Sequence, residues 1–329
     1  MKIFYAIQGT GNGHISRAVE LYPYLKKYGE VDFFLSGSNA HLNTPLPIKF
    51  KSKGLSLFYK HTGGLDYNKI ASSLSLNLYK DAKSLPVDDY DLVVNDFEFV
   101  SSLACSIKKI PSVHFGHQAS FQSKKTPRPK GANPLGSMIL ENFVKSKQHI
   151  GLHFDAYDEN IYNPIIKDEI IDATPINDGH ITVYLPQYSI SILEPYLLQQ
   201  RKYHFEVFTK EVTGIVCKHN ITYYPINNRQ FTSSMIRCYG IITAGGFETP
   251  AEAMYMNKKV LSIPILNHYE QACNSAALEK KGVMVLKKID QHFAQYFDEW
   301  MNEKKPVKLN LTHTTAQIVD LLINTANKQ

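Results

Sequence analysis

The feature that most constrains the fold is a repeated unit in which a short apolar run leads through glycines into a helix. In the first half, the apolar run Lys2 to Ile7 precedes the loop Gln8 to His14, and apolar residues then recur at helical spacing. In the second half, Gly240 to Ala244 leads into the pair Gly245-Gly246. Short apolar runs that alternate with helices are typical of buried parallel strands. The sequence therefore predicts an α/β protein with two doubly wound, Rossmann-like domains facing each other across a cleft.

The length supports this division, because a single hydrophobic core rarely grows beyond about 250–300 residues and the chain has 329. The predicted boundaries are 1–175 for the N-terminal domain, 176–305 for the C-terminal domain and 306–329 for a terminal helical segment. No tandem repeat or low-complexity tract interrupts them.

Composition indicates a globular cytoplasmic protein. Apolar residues make up 43% and charged residues 20%, and no apolar run approaches the roughly 20 residues of a membrane-spanning helix. Four scattered cysteines without metal-ligand spacing favour reduced thiols. The net charge of +6 suits a phosphate-bearing substrate, and it allows weak peripheral contact with the inner face of a membrane. The basic segment Ser123 to Lys130 has too few aromatic residues to predict nucleic-acid binding.

The glycine pair Gly245-Gly246 is a candidate phosphate site. Glycines let the backbone approach a ligand closely, and a helix start offers unpaired N–H groups and a positive dipole end. A purely structural alternative also fits, because Thr249, Pro250 and Glu252 have the spacing of a capping box. Gln271 taken alone is an ordinary helix-surface residue.

The spacing from Gly245 onwards extends over about forty residues as G-G-x-x-T-x-x-E-A, a strand ending in proline, and E-Q-x-x-N-x-x-x-L. This pattern resembles the donor site of GT-B fold glycosyltransferases, most closely family 28 (MurG-like) and the related family 1. Asn257 replaces the glycine usual before the second strand; asparagine tolerates the left-handed conformation, so the turn can be kept.

The resemblance implies roles for the residues of this pattern. Gly245, Gly246 and Thr249 would meet the donor diphosphate. Glu252 would bind the ribose hydroxyls, and Glu270 with Gln271 would bind the donor sugar. It also implies that the terminal helix packs back on the N-terminal domain.

The glycine-rich loop of the first half has the spacing G-x-G-x-G, which disfavours a Rossmann dinucleotide site, and no P-loop motif occurs there. The loop resembles the corresponding loop of the same families. That resemblance implies that His14 is the base that activates the acceptor, with Gly11, Gly13 and Arg17 on the acceptor or phosphate side. A histidine can take a proton near neutral pH. The alternatives are that His14 caps the helix or only positions the loop, and that Arg17 is solvated.

Further candidates follow two predicted strands, at the ends where ligands gather in parallel sheets. Asp96 is expected to orient His14, whereas Glu98 and His117 are expected on the acceptor side. The D-x-E spacing of Asp96 and Glu98 also occurs in metal sites of GT-A enzymes. The donor pattern in the other half argues against that alternative, so no metal is expected.

Taken with the resemblance, the sequence predicts a metal-independent, inverting hexosyl- or N-acetylhexosaminyl-transferase that uses a UDP-sugar and needs no cofactor. The acceptor would be a glycan, a lipid-linked molecule or a small molecule, as in cell-envelope or polysaccharide biosynthesis. Two alternatives remain open, a non-hydrolysing UDP-sugar 2-epimerase and a non-catalytic subunit that binds a nucleotide-sugar or glycan.

Overall fold

The computed structural model describes residues 1–9, 12–37, 44–55, 66, 76–131, 133–302 and 305–326, with Leu76 described by its backbone alone. Its contacts divide the chain into two compact units. The first unit contains Met1–Thr126, Gly131–Ile165 and Leu311–Gln329, and the second contains Pro127–Lys130 and Ile166–Asn310.

Strands and helices alternate along the described part of the chain. The strands are β1 (Lys2–Gln8), β2 (Glu30–Ser36), β3 (Ile48–Ser52), β4 (Leu92–Asp96), β5 (Val113–Gly116), β6 (Gln148–Leu152), β7 (Ile161–Tyr162), β8 (Ile181–Tyr184), β9 (Phe205–Thr209), β10 (Val216–Lys218), β11 (Ile221–Pro225), β12 (Gly240–Thr243), β13 (Lys259–Ser262) and β14 (Met284–Val285). The α-helices are α1 (Asn12–Leu25), α2 (Leu76–Ser84), α3 (Phe99–Lys108), α4 (Pro134–Asn142), α5 (Asp168–Ile171), α6 (Ile190–Gln199), α7 (Asn228–Arg237), α8 (Glu248–Tyr255), α9 (Tyr269–Lys280), α10 (Phe293–Asn302) and α11 (Thr315–Ala326). Short 3-10 helices span Val87–Asp89 and Gln118–Gln122.

The sheet of the first unit has the order β3-β2-β1-β4-β5-β6-β7 among the described residues, and its neighbouring strands are parallel. β1 is an interior strand between β2 and β4, and its residues Ile3 to Ile7 are fully buried because both faces of a doubly wound sheet are covered. Helix α1 buries Ala18, Leu21 and Leu25, which recur at helical spacing on one face.

The end of the chain belongs to this first unit. Helix α11 packs against α1, and its Ile318 and Leu322 are fully buried. Asn163 fixes the approach to α11: its Oδ1 accepts from the backbone N–H groups of Thr312 at 3.0 Å and His313 at 2.8 Å, and its Nδ2 donates to the carbonyl of His313. One buried side chain thereby joins segments 150 residues apart.

The sheet of the second unit has the order β10-β11-β9-β8-β12-β13-β14 in the described part of the chain. Its strands are parallel except for the antiparallel hairpin of β10 and β11. Gly240 opens β12 where the ring of Trp300 from α10 approaches so closely that a Cβ would lie 2.9 Å from it. The Lys259 ammonium donates to the carbonyls of Trp300 at 2.9 Å and Met301, at the end of α10.

These two parallel sheets with helical crossovers confirm the predicted α/β class with two doubly wound domains. The second unit begins at Ile166, so it includes Lys167, which pairs with Glu252, and the short helix α5, whereas the predicted boundary lies after residue 175. The turn prediction for Asn257 is confirmed, since its φ is 57°. Gly282 also has a positive φ, of 90°. The N–H groups of Gly282 and Val283 close α9 as a Schellman motif.

In the described residues, no helix combines the length and apolarity needed to cross a membrane. The four cysteines are free thiols. Burial raises the pKa of Cys105 and of Cys273 to about 12, so both stay neutral at physiological pH.

Candidate active site

The strand order of the first sheet reverses at β1, because the chain passes outward to β2 and β3 and then crosses to β4 on the other side. Ligands of doubly wound sheets bind at the carboxyl ends of the strands at such a switch point. Asp96 is the last residue of β4, and His14 lies in the first turn of α1, which follows β1. The structure therefore brings His14, the expected base, close to Asp96, which the sequence predicted to orient it.

Asp96 is the centre of a buried cluster and is itself fully buried. Its Oδ1 lies 2.7 Å from Nδ1 of His14 and 2.7 Å from Nη2 of Arg17. Its Oδ2 accepts from Nε of Arg17 at 3.0 Å and from the hydroxyl of Tyr5 at 3.2 Å. Four donors thus satisfy one carboxylate, which is what burial of an anion requires.

This environment fixes the charge of Asp96. Burial alone would raise the pKa of its carboxyl, but the Arg17 guanidinium and His14 outweigh burial and hold the pKa well below its usual range. The neighbouring Tyr5 is also buried, and burial together with the Asp96 charge raises the pKa of its hydroxyl well above its usual value. Asp96 is therefore an anion and Tyr5 a neutral donor over the whole physiological range.

The ionised carboxylate also sets the tautomer of His14. Asp96 can only accept, so Nδ1 of His14 carries a hydrogen and donates to it. The lone pair of a neutral ring then resides on Nε2. The side chain of His14 is 12% exposed. Because it bonds Asp96 rather than a backbone N–H, the helix-capping interpretation of His14 is wrong.

The other candidates of the first unit have different positions. Glu98 is the N-cap of α3, where its carboxylate accepts from the N–H groups of Val100 and Ser101 and from the Ser36 hydroxyl, so it begins a helix. His117 is 1% exposed, and its Nδ1 lies 3.1 Å from the carbonyl of Leu152.

The remaining predictions concern Arg17, Gly13 and Gly11, expected on the acceptor or phosphate side, and the alternative of a metal site at Asp96 and Glu98. Arg17, expected on the phosphate side, instead has a 3% exposed side chain that faces Asp96. Gly13 lies within the first turn of α1, and Gly11 lies outside the described residues. Asp96 and Glu98 engage different partners, which argues against the metal interpretation of their spacing.

In the second unit, Gly245 and Gly246 follow β12 and lead into α8. A Cβ on Gly245 would lie 3.0 Å from the carbonyl of Gln271, so the turn is packed tightly there, whereas a Cβ on Gly246 would meet nothing within 4 Å. Open space beside a glycine at the start of a helix is suited to a ligand that approaches the backbone. The capping-box interpretation is wrong, because Phe247 occupies the N-cap and Thr249 is the second residue of the helix.

Glu252 has a partner that the sequence did not indicate. Its Oε1 lies 3.1 Å and its Oε2 3.3 Å from Nζ of Lys167, and the side chains are 3% and 17% exposed. The carboxylate is therefore ionised and buried in the same unit as the glycine turn. Lys167 is 85 residues away in sequence, so no local spacing could have revealed the pair.

Gln271 and Glu270 lie in the first turn of α9 and are half-buried. Oε1 of Gln271 accepts from the N–H of Ile265 at 2.8 Å, which anchors the loop after β13. The sequence pattern contained Asn274 but gave it no role. Asn274 is fully buried, and its Nδ2 donates to the carbonyl of Gly245 at 3.0 Å, which holds the glycine turn against α9.

Comparisons with known proteins agree with this architecture. A family model described as glycosyl transferase family 1 matches residues 1–301. Phytolacca americana UGT2, solved with UDP-2-fluoro-glucose and pterostilbene, is 15% identical with a TM-score of 0.64, over 100% of this chain and 99% of that one. Acinetobacter baumannii MurG is 14% identical with a TM-score of 0.56, over 100% and 99%. VinC, solved with dTDP, is 12% identical with a TM-score of 0.60, over 100% of both chains. No curated protein matches the sequence.

These likenesses show the GT-B fold that the sequence pattern indicated. The chain belongs to glycosyl transferase family 1.

Proposed function

We propose that this protein transfers a sugar from a UDP-sugar to an acceptor hydroxyl with inversion at the anomeric carbon. The observation that carries the proposal is the 2.7 Å contact of His14 Nδ1 with the buried Asp96 carboxylate. A neutral imidazole held by an anion at one nitrogen has its other nitrogen ready to accept a proton. The same arrangement stabilises the imidazolium after the proton has moved.

In the proposed reaction, Nε2 of His14 takes the proton of the acceptor hydroxyl as its oxygen attacks the anomeric carbon. The bond from that carbon to the diphosphate oxygen breaks on the opposite face, and UDP leaves with the electron pair. One direct displacement inverts the configuration. The backbone at Gly245-Gly246 and the N-terminus of α8 meet the charge that develops on the diphosphate. Thr249 in the first turn adds a hydroxyl, and the mechanism requires no metal ion.

The choice of UDP rests on Glu252. UGT2 was solved with a UDP-sugar analogue and VinC with dTDP, so both nucleotides occur among proteins of this fold. A carboxylate that accepts from the 2′- and 3′-hydroxyls uses both groups of ribose, and dTDP lacks the first. The first turn of α9, with Glu270 and Gln271, would bind a hexose or N-acetylhexosamine.

The first test is calorimetric titration with UDP, dUDP, dTDP, ADP and GDP. We expect selective binding of UDP, weaker binding of dUDP and little of the purine nucleotides. Preference for dTDP would keep the fold but change the donor. Absence of binding to all five would refute the donor site.

The second test is release of UDP from UDP-glucose and UDP-N-acetylglucosamine, with water or pterostilbene as acceptor. His14→Ala should lower the rate by about 10²- to 10⁴-fold, the range of general-base catalysis, and leave UDP affinity within twofold. Substitution of the exposed His292 by alanine is the matched control. A His14→Ala enzyme with the wild-type rate would refute the assigned base, and conversion of UDP-N-acetylglucosamine to its 2-epimer without net release of UDP would favour an epimerase.

A further inference from the structure

Arg17 also contacts Asp96, and a base that consisted only of His14 and Asp96 would not require this arginine. Nε and Nη2 of Arg17 both donate hydrogen bonds to the Asp96 carboxylate, at 3.0 and 2.7 Å, and the Arg17 side chain is 3% exposed. A guanidinium is permanently charged, and its removal from water is costly unless its geometry and partners compensate. The chain therefore retains a buried cation directly beside its candidate base.

The fold leaves room for this ion pair. Gly116, the last residue of β5, has a φ of 109°, a region that side chains rarely adopt. A Cβ at this position would lie 2.9 Å from Oδ1 of Asp96 and 3.0 Å from Nη2 of Arg17. The end of β5 is thus shaped around the guanidinium and the carboxylate together.

Arg17 and His14 share one acceptor atom. Oδ1 of Asp96 is 2.7 Å from Nη2 of Arg17 and 2.7 Å from Nδ1 of His14, and those two nitrogens are 3.0 Å apart. Because Nδ1 donates to Asp96, it cannot also accept from Arg17, so the two nitrogens make a close contact of donors. A second positive charge on the ring would face the guanidinium across this distance.

We propose that Arg17 is a positioning residue for the transfer reaction. It fixes the Asp96 carboxylate so that Oδ1 faces the Nδ1–H of His14, and its charge opposes premature protonation of the imidazole, so the base stays ready. This inference rests on the proposed role of His14. Among the residues that the structure describes, the other titratable groups around the ring and its carboxylate are Tyr5 on β1 and His114 on β5, both of which are buried.

The experiment is a ¹⁵N NMR titration of the His14 ring in the wild-type protein and in Arg17→Gln, assigned by comparison with His14→Ala. Without the guanidinium, the counter-ion left to Asp96 is a protonated His14. We expect the titration midpoint of His14 to be higher in Arg17→Gln than in the wild-type protein, because a like charge beside the ring disfavours its charged form. An unchanged midpoint would refute the electrostatic role.

Kinetics provide the second measurement, with the UDP-release assay. Arg17→Gln should lower kcat about 10- to 100-fold at neutral pH, shift the acid limb upward and leave KM for the UDP-sugar within threefold. A fall in kcat without a shift would indicate a merely structural role. A rise in KM with unchanged kcat would indicate a phosphate ligand instead, and either result overturns the proposal.

Two further variants keep the test decisive. If Arg17→Gln does not fold, Arg17→Lys keeps the charge but loses the two-point geometry, so the midpoint of His14 should stay within about 0.3 pH unit while kcat still falls. Arg237→Gln removes a surface guanidinium paired with Asp178 at 2.9 Å and should change neither quantity. If His14→Ala retains full activity, the proposed base fails, which is distinct from a failure of Arg17 alone.

Discussion

Substitutions of Glu252 and Lys167 can distinguish a role of the Glu252 carboxylate in ligand binding from a role in the stability of the fold. In Glu252→Ala, the ammonium of Lys167 loses its carboxylate while its side chain stays only 17% exposed. Removal of one partner of a fully buried pair costs about 3–5 kcal/mol, so a partly accessible lysine should cost about 2–3 kcal/mol. That loss corresponds to a fall in melting temperature of roughly 4–12 °C.

The same substitution should weaken UDP binding by about 10- to 100-fold, because each hydrogen bond to a charged acceptor contributes about 1.5–3 kcal/mol. It should also abolish the preference for UDP over dUDP, an effect that lower stability cannot mimic. Lys167→Ala should lower the melting temperature yet change UDP affinity less than threefold. The double variant should recover about 1–3 kcal/mol relative to the sum of the single losses.

The assays are thermal unfolding and calorimetric titration with UDP and dUDP. Glu279→Ala, which removes an exposed carboxylate from α9, is the matched control and should change neither quantity. A Glu252→Ala protein that melts early but keeps both the affinity for UDP and its discrimination against dUDP would show that the carboxylate only supports the fold.

Two other predictions concern a glycine turn and a buried histidine. Gly246→Ala should change the free energy of unfolding by no more than about 0.5 kcal/mol, like the equally open control Gly214→Ala, but it should weaken UDP binding about tenfold. Gly245→Ala should lower the stability, because its Cβ would meet Gln271. Calorimetric titration and thermal unfolding check all three variants. Burial lowers the pKa of His114 from 6.5 to about 3, so the unfolded chain binds the proton first and stability should fall as the pH drops from 6.5 towards 3. His114→Phe should flatten that fall in chemical denaturation between pH 7 and 4.5, and an equally steep loss in the variant would contradict the assignment.

The sequence predicted that His14 and Asp96 lie together because both residues obey a general rule of parallel sheets. His14 follows β1 and Asp96 ends β4, and these strands are neighbours whose carboxyl ends meet at one edge. The glycine turn was predictable for a similar reason, since its glycines, helix and following strand are contiguous in sequence. The sequence could therefore predict those parts of the site that depend on residues close together in the chain or on the ends of neighbouring strands.

The errors and omissions have two physical causes, which are the exact start of a helix and the presence of partners that lie far away in sequence. Glu98 looked available at a strand end, yet the first N–H groups of α3 claim it. Thr249 fits a capping box, which would start the helix at Pro250, but the helix begins two residues earlier, at Glu248, with Phe247 at its N-cap. Lys167 and Gly116 carry no local signal, because their roles depend on which atoms the tertiary fold places beside them.

The hydrogen bonds of Asn163 with Thr312 and His313 have a consequence for the order in which the two units fold during synthesis. The first unit needs α11, which follows the whole of the second unit in the chain, since the second unit ends at Asn310. Domains generally complete their folding as units during synthesis, at roughly 5–20 residues per second. The second unit can therefore finish folding before the first, in which the surface of α1 stays uncovered until α11 has been synthesised.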